Sequence, residues 1–379
     1  MLNFAQMAGI YIHIPFCKQK CSYCDFHFST TFQSYRQEMI DSIVKEIEIR
    51  KEYLLDQQIE TIYFGGGTPS LLTSDELKII FHKIESIFDI SKTPEITLEA
   101  NPDDISIESL ERWKLFGINR LSIGLQSFRE EDLKWMNRAH SSEESLNCVA
   151  LAKEKGFDNI SIDLIYGLPN FTLEDWKKNI QTVIDFGIPH ISAYCLTVED
   201  KTALSKWVKD HKIIPANEDQ QSDQFEYLIS ELERNGIHQY EISNFSTPNF
   251  ESKHNSNYWK GKHYLGIGPS AHSFNGTSRS WNISNNRKYI QLIQENQPTF
   301  ETEILSPADQ FNELLLIGLR TVKGVNLDQL KAIQTPSEKF WKKVNQMESD
   351  AWLIKTDTHI VLTKEGRLKA DYIASELFI

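Results

Sequence analysis

A chain of 379 residues with 40% hydrophobic and 11% aromatic content can bury one large core and a smaller second one. Its formal charge of −13 argues against free nucleic acid as a partner, because phosphate binding needs a basic surface. Five cysteines, three of them clustered near the start, point to a metal site in a reducing compartment and not to a secreted disulfide framework. Met1-Leu2-Asn3-Phe4 lacks the basic start of a signal peptide, and no stretch reaches the roughly 20 apolar residues of a spanning helix. The expected location is cytoplasmic.

Short β-branched runs are predicted as strands at residues 9–15, 61–64, 95–99, 120–125, 159–165 and 190–196. Amphipathic stretches between them predict helices over 35–55, 74–88, 106–116, 142–155 and 173–186. Such alternation implies an α/β fold: a parallel sheet with helices outside, as an open or closed β/α barrel or a doubly wound sheet. From about residue 236 the segments become short and rich in His, Asn, Tyr and Trp. Helical periodicity returns at 310–319, 325–333 and 336–349, followed by a hairpin from 352–354 and 360–362 and a last helix from Glu365. This divides the chain into a core at 1–235, a loop-rich completion at 236–305 and a small helical, winged-helix-like domain at 306–379.

Polar groups recur where strands end. Cys17-x₃-Cys21-x₂-Cys24 follows the first strand, and Gly65-Gly66-Gly67-Thr68-Pro69-Ser70 the second. Glu99-Ala100-Asn101-Pro102, Gln126-Ser127-Phe128 and Tyr166-Gly167-Leu168-Pro169 close the next three. Turn chemistry explains the glycines and prolines. It does not explain Cys, Glu and Gln at the carboxyl ends, where barrels and open α/β sheets place their sites. Three thiolates at this spacing suit three irons of a [4Fe–4S] cluster, leaving the fourth iron open. With His27 they also match a Cys₃His zinc pattern. Cys148 and Cys195 stand alone and read as buried small hydrophobes.

Tyr11-Ile12-His13-Ile14-Pro15-Phe16-Cys17, Cys21-Ser22-Tyr23-Cys24, the triple-glycine loop, Ser161-Ile162-Asp163-Leu164-Ile165-Tyr166-Gly167-Leu168-Pro169 and the 266–274 segment resemble radical S-adenosylmethionine (SAM) proteins. Within that superfamily they are similar to the oxygen-independent coproporphyrinogen III oxidase group, from about Gly9 onward. True oxidases of that group carry a fourth cysteine where this chain has Phe26, and a longer segment before the first cysteine. Both departures, with His254-Asn255-Ser256-Asn257-Tyr258-Trp259, resemble the heme chaperone (HemW) family.

The resemblance implies a partial β/α barrel of the radical SAM type and a [4Fe–4S] cluster on Cys17, Cys21 and Cys24. The cluster would take one electron from a donor protein and cleave SAM. A glycine loop lets backbone approach such a ligand, carboxylates suit ribose hydroxyls, and a guanidinium suits a carboxylate. By motif, Tyr11, Gly66, Glu99, Thr197 and His272 would contact one SAM. Tyr23, Gly67, Thr68, Gln126, Arg138 and Asp163 correspond to positions around a second. No catalytic residue is assigned. The implied function is to bind heme and deliver it to respiratory acceptor proteins; the alternative is oxidative decarboxylation of coproporphyrinogen III. His254 is the expected heme ligand, with His238, His263 and His272 as rivals, and Tyr and Trp beside it suit a porphyrin face.

Overall fold

The structure, a computed structural model, describes residues 6–54 and 57–379. The Met1–Phe4 start and Leu55, the last residue of the first expected helix, lie outside the described residues. The six expected strands form as β1 (Gln6–Ile14), β2 (Gln57–Gly66), β3 (Ile90–Ala100), β4 (Arg120–Gln126), β5 (Ile160–Tyr166) and β6 (His190–Cys195). Each pairs in parallel with the next in chain order. The crossovers carry α1 (Arg36–Ile49), α2 (Ser74–Ile87), α3 (Ile107–Leu115), α4 (Glu130–Trp135), α5 (Ser142–Glu154) and α6 (Leu173–Asp185). Their starts are written locally: Thr73 with Glu76, Ser141 with Glu144 and Thr172 with Asp175 form reciprocal capping boxes. The first helix stops at Ile49, well short of the periodic pattern. There Arg50 turns inward to Ser273 and Ser280, between the rings of Tyr53 and Phe300.

Beyond β6 come α7 (Ala203–Lys209), α8 (Glu218–Arg234), β7 (His238–Glu241), β8 (Asn244–Ser246) and α9 (Lys253–Trp259). Then follow β9 (Tyr264–Ile267), β10 (His272–Phe274), β11 (Ser278–Asn282), α10 (Asn286–Gln294) and β12 (Phe300–Ile304). The loop-rich segment therefore contains a seventh parallel strand, β9, which pairs with β1. The sheet runs β12-β11-β10-β9-β1-β2-β3-β4-β5-β6-β8-β7. Among the described residues no pairing joins β12 to β7, so the barrel is open.

The strands have two unlike faces. Ile10, Ile12, Ile62, Phe64, Leu98, Leu121, Ile123 and Ile162 are fully buried in the hydrophobic core. The alternate positions, which point to the opposite face, are polar: Tyr11 and His13, Tyr63, Thr97 and Glu99, Arg120 and Ser122, Asp163, His190 and Ser192. Parallel sheets buried on both faces ordinarily read as continuous apolar runs. Here the inner face is built for polar contacts.

The outer extension is tied to the core by Glu46 of α1. Its buried carboxylate accepts from the Gly268 amide at 2.8 Å, Asn282 Nδ2 at 2.7 Å and the Tyr289 hydroxyl at 2.5 Å, with Arg50 at 3.8 Å.

The C-terminal part comprises α11 (Pro307–Leu319), β13 (Val325–Asn326), α12 (Leu327–Ile333), α13 (Glu338–Ser349), β14 (Leu353–Lys355), β15 (His359–Leu362), α14 (Lys364–Arg367) and α15 (Ala370–Leu377). It has its own apolar cluster around Phe311, Leu315, Leu330, Phe340, Ile360 and Ile373. The helix expected to begin at Val325 begins two residues later. Val325 pairs with Ile360 as a strand, and Asn326 caps α12 by accepting from the amides of Asp328 and Gln329. No helix among the described residues is long and apolar enough to cross a membrane.

Glu46→Leu should lower the unfolding free energy by about 3 kcal/mol, because it leaves a buried arginine and several donors unpaired. Urea denaturation at pH 7 measures this.

Candidate functional site

At the carboxyl ends of β1 to β6 lies one cavity of about 460 Å³. Laid flat, β1 and β6 would stand roughly 24 Å apart at about 4.8 Å per strand. One cavity lined from both requires the sheet to curl around its polar face.

The cysteine loop is held as a unit. Its base is closed by Cys17 N–H donating to the Ser29 carbonyl and Ser29 N–H to Pro15. The segment after α4 fixes its far side: Ser22 N–H donates to the Met136 carbonyl, and Asn137 Nδ2 donates to the Lys20 carbonyl. Cys17, Cys21 and Cys24 all line the cavity. Thr68 donates its hydroxyl to Cys17 Sγ at 3.4 Å, and Arg138 donates to Cys21 Sγ at 3.4 Å. Burial pushes the Cys17 thiol up to about 12 and the Cys24 thiol up to about 11. Thiolates form there only with compensating positive charge, so metal coordination would displace protons.

Among the described residues no three His, Cys, Asp or Glu side chains converge as ligands of a single metal ion would. His27 of the zinc pattern is turned to Asn286 instead, at 2.6 Å. A cubane cluster takes one thiolate per iron, and three thiols lining one cavity suit it. The three cysteines would hold three irons.

Gly66 and Gly67 owe their identity to close packing. Gly66 adopts φ +105°, and a Cβ there would stand 2.5 Å from the His13 ring. At Gly67 a Cβ would meet the carbonyl oxygens of Phe16 at 2.7 Å and Ile14 at 2.8 Å. The glycine loop thus lies directly on the strand that launches the cysteines. Gln126 ends β4 at φ +69°, a left-handed conformation uncommon for a residue with a side chain.

The floor is acidic. Glu99 accepts from the Tyr63 hydroxyl at 2.8 Å and the Gly66 amide at 3.1 Å. Burial raises its pKa to about 7, with Asp163 adding repulsion. Burial likewise raises Asp163 to about 6, against hydrogen bonds from Ser192 and Ser122. Arg138 spans the wall, donating to Asn101 Oδ1 and the Gly124 carbonyl, both at 2.7 Å.

Twelve of the expected site residues meet here: the three cysteines with Tyr23, Gly66, Gly67, Thr68, Glu99, Gln126, Arg138, Asp163 and Thr197. Three do not line the cavity. Tyr11 lies in the barrel interior, its hydroxyl 3.3 Å from His13 Nδ1 and its ring stacked on Tyr63. His272 is exposed on β10, beside Trp281. His254, the expected heme ligand, is 2% exposed. Its Nδ1 shares a 2.7 Å hydrogen bond with Thr61, its Nε2 another of 2.7 Å with Tyr258, and its ring stacks on Tyr63. The Lys253 and His254 amides, at the start of α9, donate to the buried Glu95 carboxylate and hold the helix in place.

Asn101 of the Glu99–Pro102 group lines the cavity, as do Ser122, Tyr194 and Cys195, which had not been singled out for it, and Cys195 is half-buried there, not sealed in the core. The polar–apolar alternation of β4 and β6 was the signal for Ser122 and Tyr194. Phe26, in the place of the fourth cysteine, lies at the cavity 70% exposed.

The fold and the cysteine-lined cavity are those of a radical SAM protein: the Radical SAM superfamily profile matches residues 11–183, and the HemN C-terminal domain profile matches residues 305–368. The heme chaperone HemW of Bacillus subtilis is 34% identical over 374 residues, covering 96% of this chain and 97% of its own. That of Lactococcus lactis is 32% identical, covering 94% and 93%. Among solved structures, coproporphyrinogen III oxidase (HemN) from Escherichia coli superposes with a TM-score of 0.86 at 22% identity, over 98% of this chain and 90% of that one, a likeness of fold. The chain belongs to the heme chaperone HemW family of the radical SAM superfamily.

Gly67→Ala should destabilise the protein by roughly 2 kcal/mol through overpacking. It should also reduce iron incorporation, because the displaced neighbours are the backbone that launches the cysteine loop; thermal melts and iron analysis after reconstitution read the two effects.

Proposed function

We propose that this protein is a cytoplasmic heme chaperone that carries a [4Fe–4S] cluster, binds SAM, and passes heme to respiratory acceptor proteins. The observation that carries the reading is similarity along nearly the whole chain to proteins named heme chaperone HemW. Phe26 supports it, since the oxidase group has a cysteine there. In this reading Cys17, Cys21 and Cys24 hold the cluster, which when bound supplies an electron to SAM. The protein's own residues position and seclude the ligand. The Gly66–Gly67 backbone permits close approach, Glu99 and Asp163 accept from hydroxyls, and Arg138 keeps a positive charge beside Cys21. Tyr11, Thr197 and His272 complete the proposed SAM contacts, the first and last by movement toward the cavity.

Heme would be bound by the same protein, with His254 as the proposed axial ligand. Ligation requires α9 to leave the interior and the Thr61 or Tyr258 hydrogen bond to break. His254→Ala separates the roles. A changed heme spectrum with unchanged melting assigns the ligand. A lowered melting temperature with an unchanged heme spectrum assigns His254 to anchoring α9.

The deciding experiment gives the anaerobically reconstituted protein SAM, a reductant and either heme with an acceptor apoprotein or coproporphyrinogen III. Heme transfer without loss of porphyrinogen carboxyl groups is expected; catalytic formation of protoporphyrinogen would make the protein an oxidase. Replacing all three cysteines by alanine should abolish the brown chromophore, and a retained chromophore would refute the cluster assignment. Because Glu99 and Asp163 titrate near 7 and 6 and accept hydrogen bonds more strongly, and from both oxygens, when ionised, SAM affinity should weaken as the pH falls from 8 to 6. Calorimetric titration across that range tests this, and a flat profile would remove both carboxylates from the site.

A further inference from the structure

Arg120, at the start of β4, is 1% exposed and points into the polar interior below the cavity. Strand register sets it beside Thr97, one inward step beneath Ser122, which stands beside Glu99. A guanidinium this deep ordinarily sits in an ion pair, because an uncompensated buried charge is costly. Among the described residues no carboxylate lies within 4 Å of it. Its Nε has no hydrogen-bond partner, and neither has Thr97 Oγ1 at its side.

The neighbouring acids are committed elsewhere. Glu95 accepts the α9 amides, and Glu241 accepts from the Ser243 amide and Asn244. His190 of β6 and His254 of α9 face Arg120 and are held neutral, by burial first and by its charge second. His190 spends its ring nitrogens on Ser161 and Tyr240. The field of Arg120 is left to act on Glu99 and Asp163, whose ionised forms it favours.

We propose that Arg120 is a positioning residue of the cofactor site, an unpaired charge beneath the floor that keeps the carboxylates of Glu99 and Asp163 ionised to receive ligand hydroxyls. This rests on the reading that those carboxylates hold SAM. The charge acts through them and does not touch the ligand.

The surroundings make the effect separable. Glu99 is faced by Tyr11 of β1, Tyr63 of β2, Asp163 of β5 and Tyr258 of α9. Asp163 is faced by Tyr194 of β6 and by Arg138, and Arg120 also by Tyr240 of β7. Burial raises every one of these tyrosines above its ordinary value and keeps both histidines below theirs. Between pH 6 and 9 these tyrosines and histidines keep their charge state, which leaves the carboxylates of Glu99 and Asp163 to titrate, along with Glu241, whose carboxyl burial also raises and which faces Tyr194 and Tyr240.

The test compares wild type with Arg120→Met and Arg120→Lys as cluster-reconstituted proteins, measuring SAM affinity by calorimetry from pH 6 to 9 and melting temperature without SAM. For Arg120→Met the pH midpoint of SAM binding should rise by about one unit, a roughly fivefold weaker affinity at pH 7 approaching tenfold at pH 6, with recovery by pH 9. Melting should be unchanged or higher, since an unpaired buried charge has been removed. Arg120→Lys should follow wild type. A Met profile superimposable on wild type overturns the proposal. So does an equal loss at every pH with lower melting, or failure to fold, because each would make Arg120 an ordinary packing residue. Absence of SAM binding by wild type would instead refute the underlying site reading, and the proposal with it.

Discussion

The sheet must bend around a polar face, and most of the molecule follows from how that is achieved. Isoleucine, leucine and phenylalanine on the outer positions of β1 to β5 are sealed by helices, which fixes which side of each strand faces inward. The inner positions then bring Tyr, Thr, Glu, Arg, Ser, Asp and His together in one space. Buried polar groups are tolerated when they are paired. The interior obeys this through Tyr63 on Glu99, Thr61 and Tyr258 on His254, and Ser161 and Tyr240 on His190. Arg120 Nε and the Thr97 hydroxyl beside it are exceptions among the described residues, and Arg120 is the one that carries a charge.

The open end of this barrel is where the inner face meets loops. The triple glycine packs on the strand that launches the cysteines, so cluster loop and cofactor loop are mechanically one object. The closed end is plugged by α9, whose first amides rest on Glu95. His254 links that plug to Tyr63 and, through it, to Glu99 at the cavity floor. α9 and the cavity floor are therefore joined by direct contacts. A heme ligand on α9 and a SAM ligand above Glu99 would share one hydrogen-bonded and stacked path.

The likeness to the coproporphyrinogen oxidase fold and the whole-chain relationship to heme chaperones carry different weight. A shared fold positions cysteines, glycines and carboxylates alike; the task depends on what reaches the cavity. Phe26 is informative in that respect. An exposed phenyl ring at the mouth, in place of a thiol, changes an edge that could be oxidised or ligated into an apolar one. The C-terminal part is joined to the barrel by the Glu241–Thr321 bridge, the Lys364–Glu233 ion pair and Arg367 on Gln239. Further contacts come from Glu313 of α11, paired with Arg279 of β11, and from Arg320, stacked over Trp259 of α9.

By itself the sequence determined the six parallel strands, the helix starts and the gathering of chemistry at strand ends. Those features are local: β-branched runs, capping boxes, and turn residues at fixed offsets are read within a few positions. The carboxyl ends of the strands also marked the cysteine loop, the glycine loop, Glu99 and Gln126, whereas Arg138, Asp163 and Thr197 were reached only through the family resemblance. The tertiary structure decided the rest. Strand β9 is four residues with no local signal, and it becomes a strand by pairing with β1. The ends of α1 and α12 were set by Arg50 seeking the interior and Val325 pairing with Ile360. The burial of His254 and the isolation of Arg120 depend on which groups from distant strands and α9 arrive beside them. Pairing across such separations is a property of the packed chain, and no local pattern encodes it.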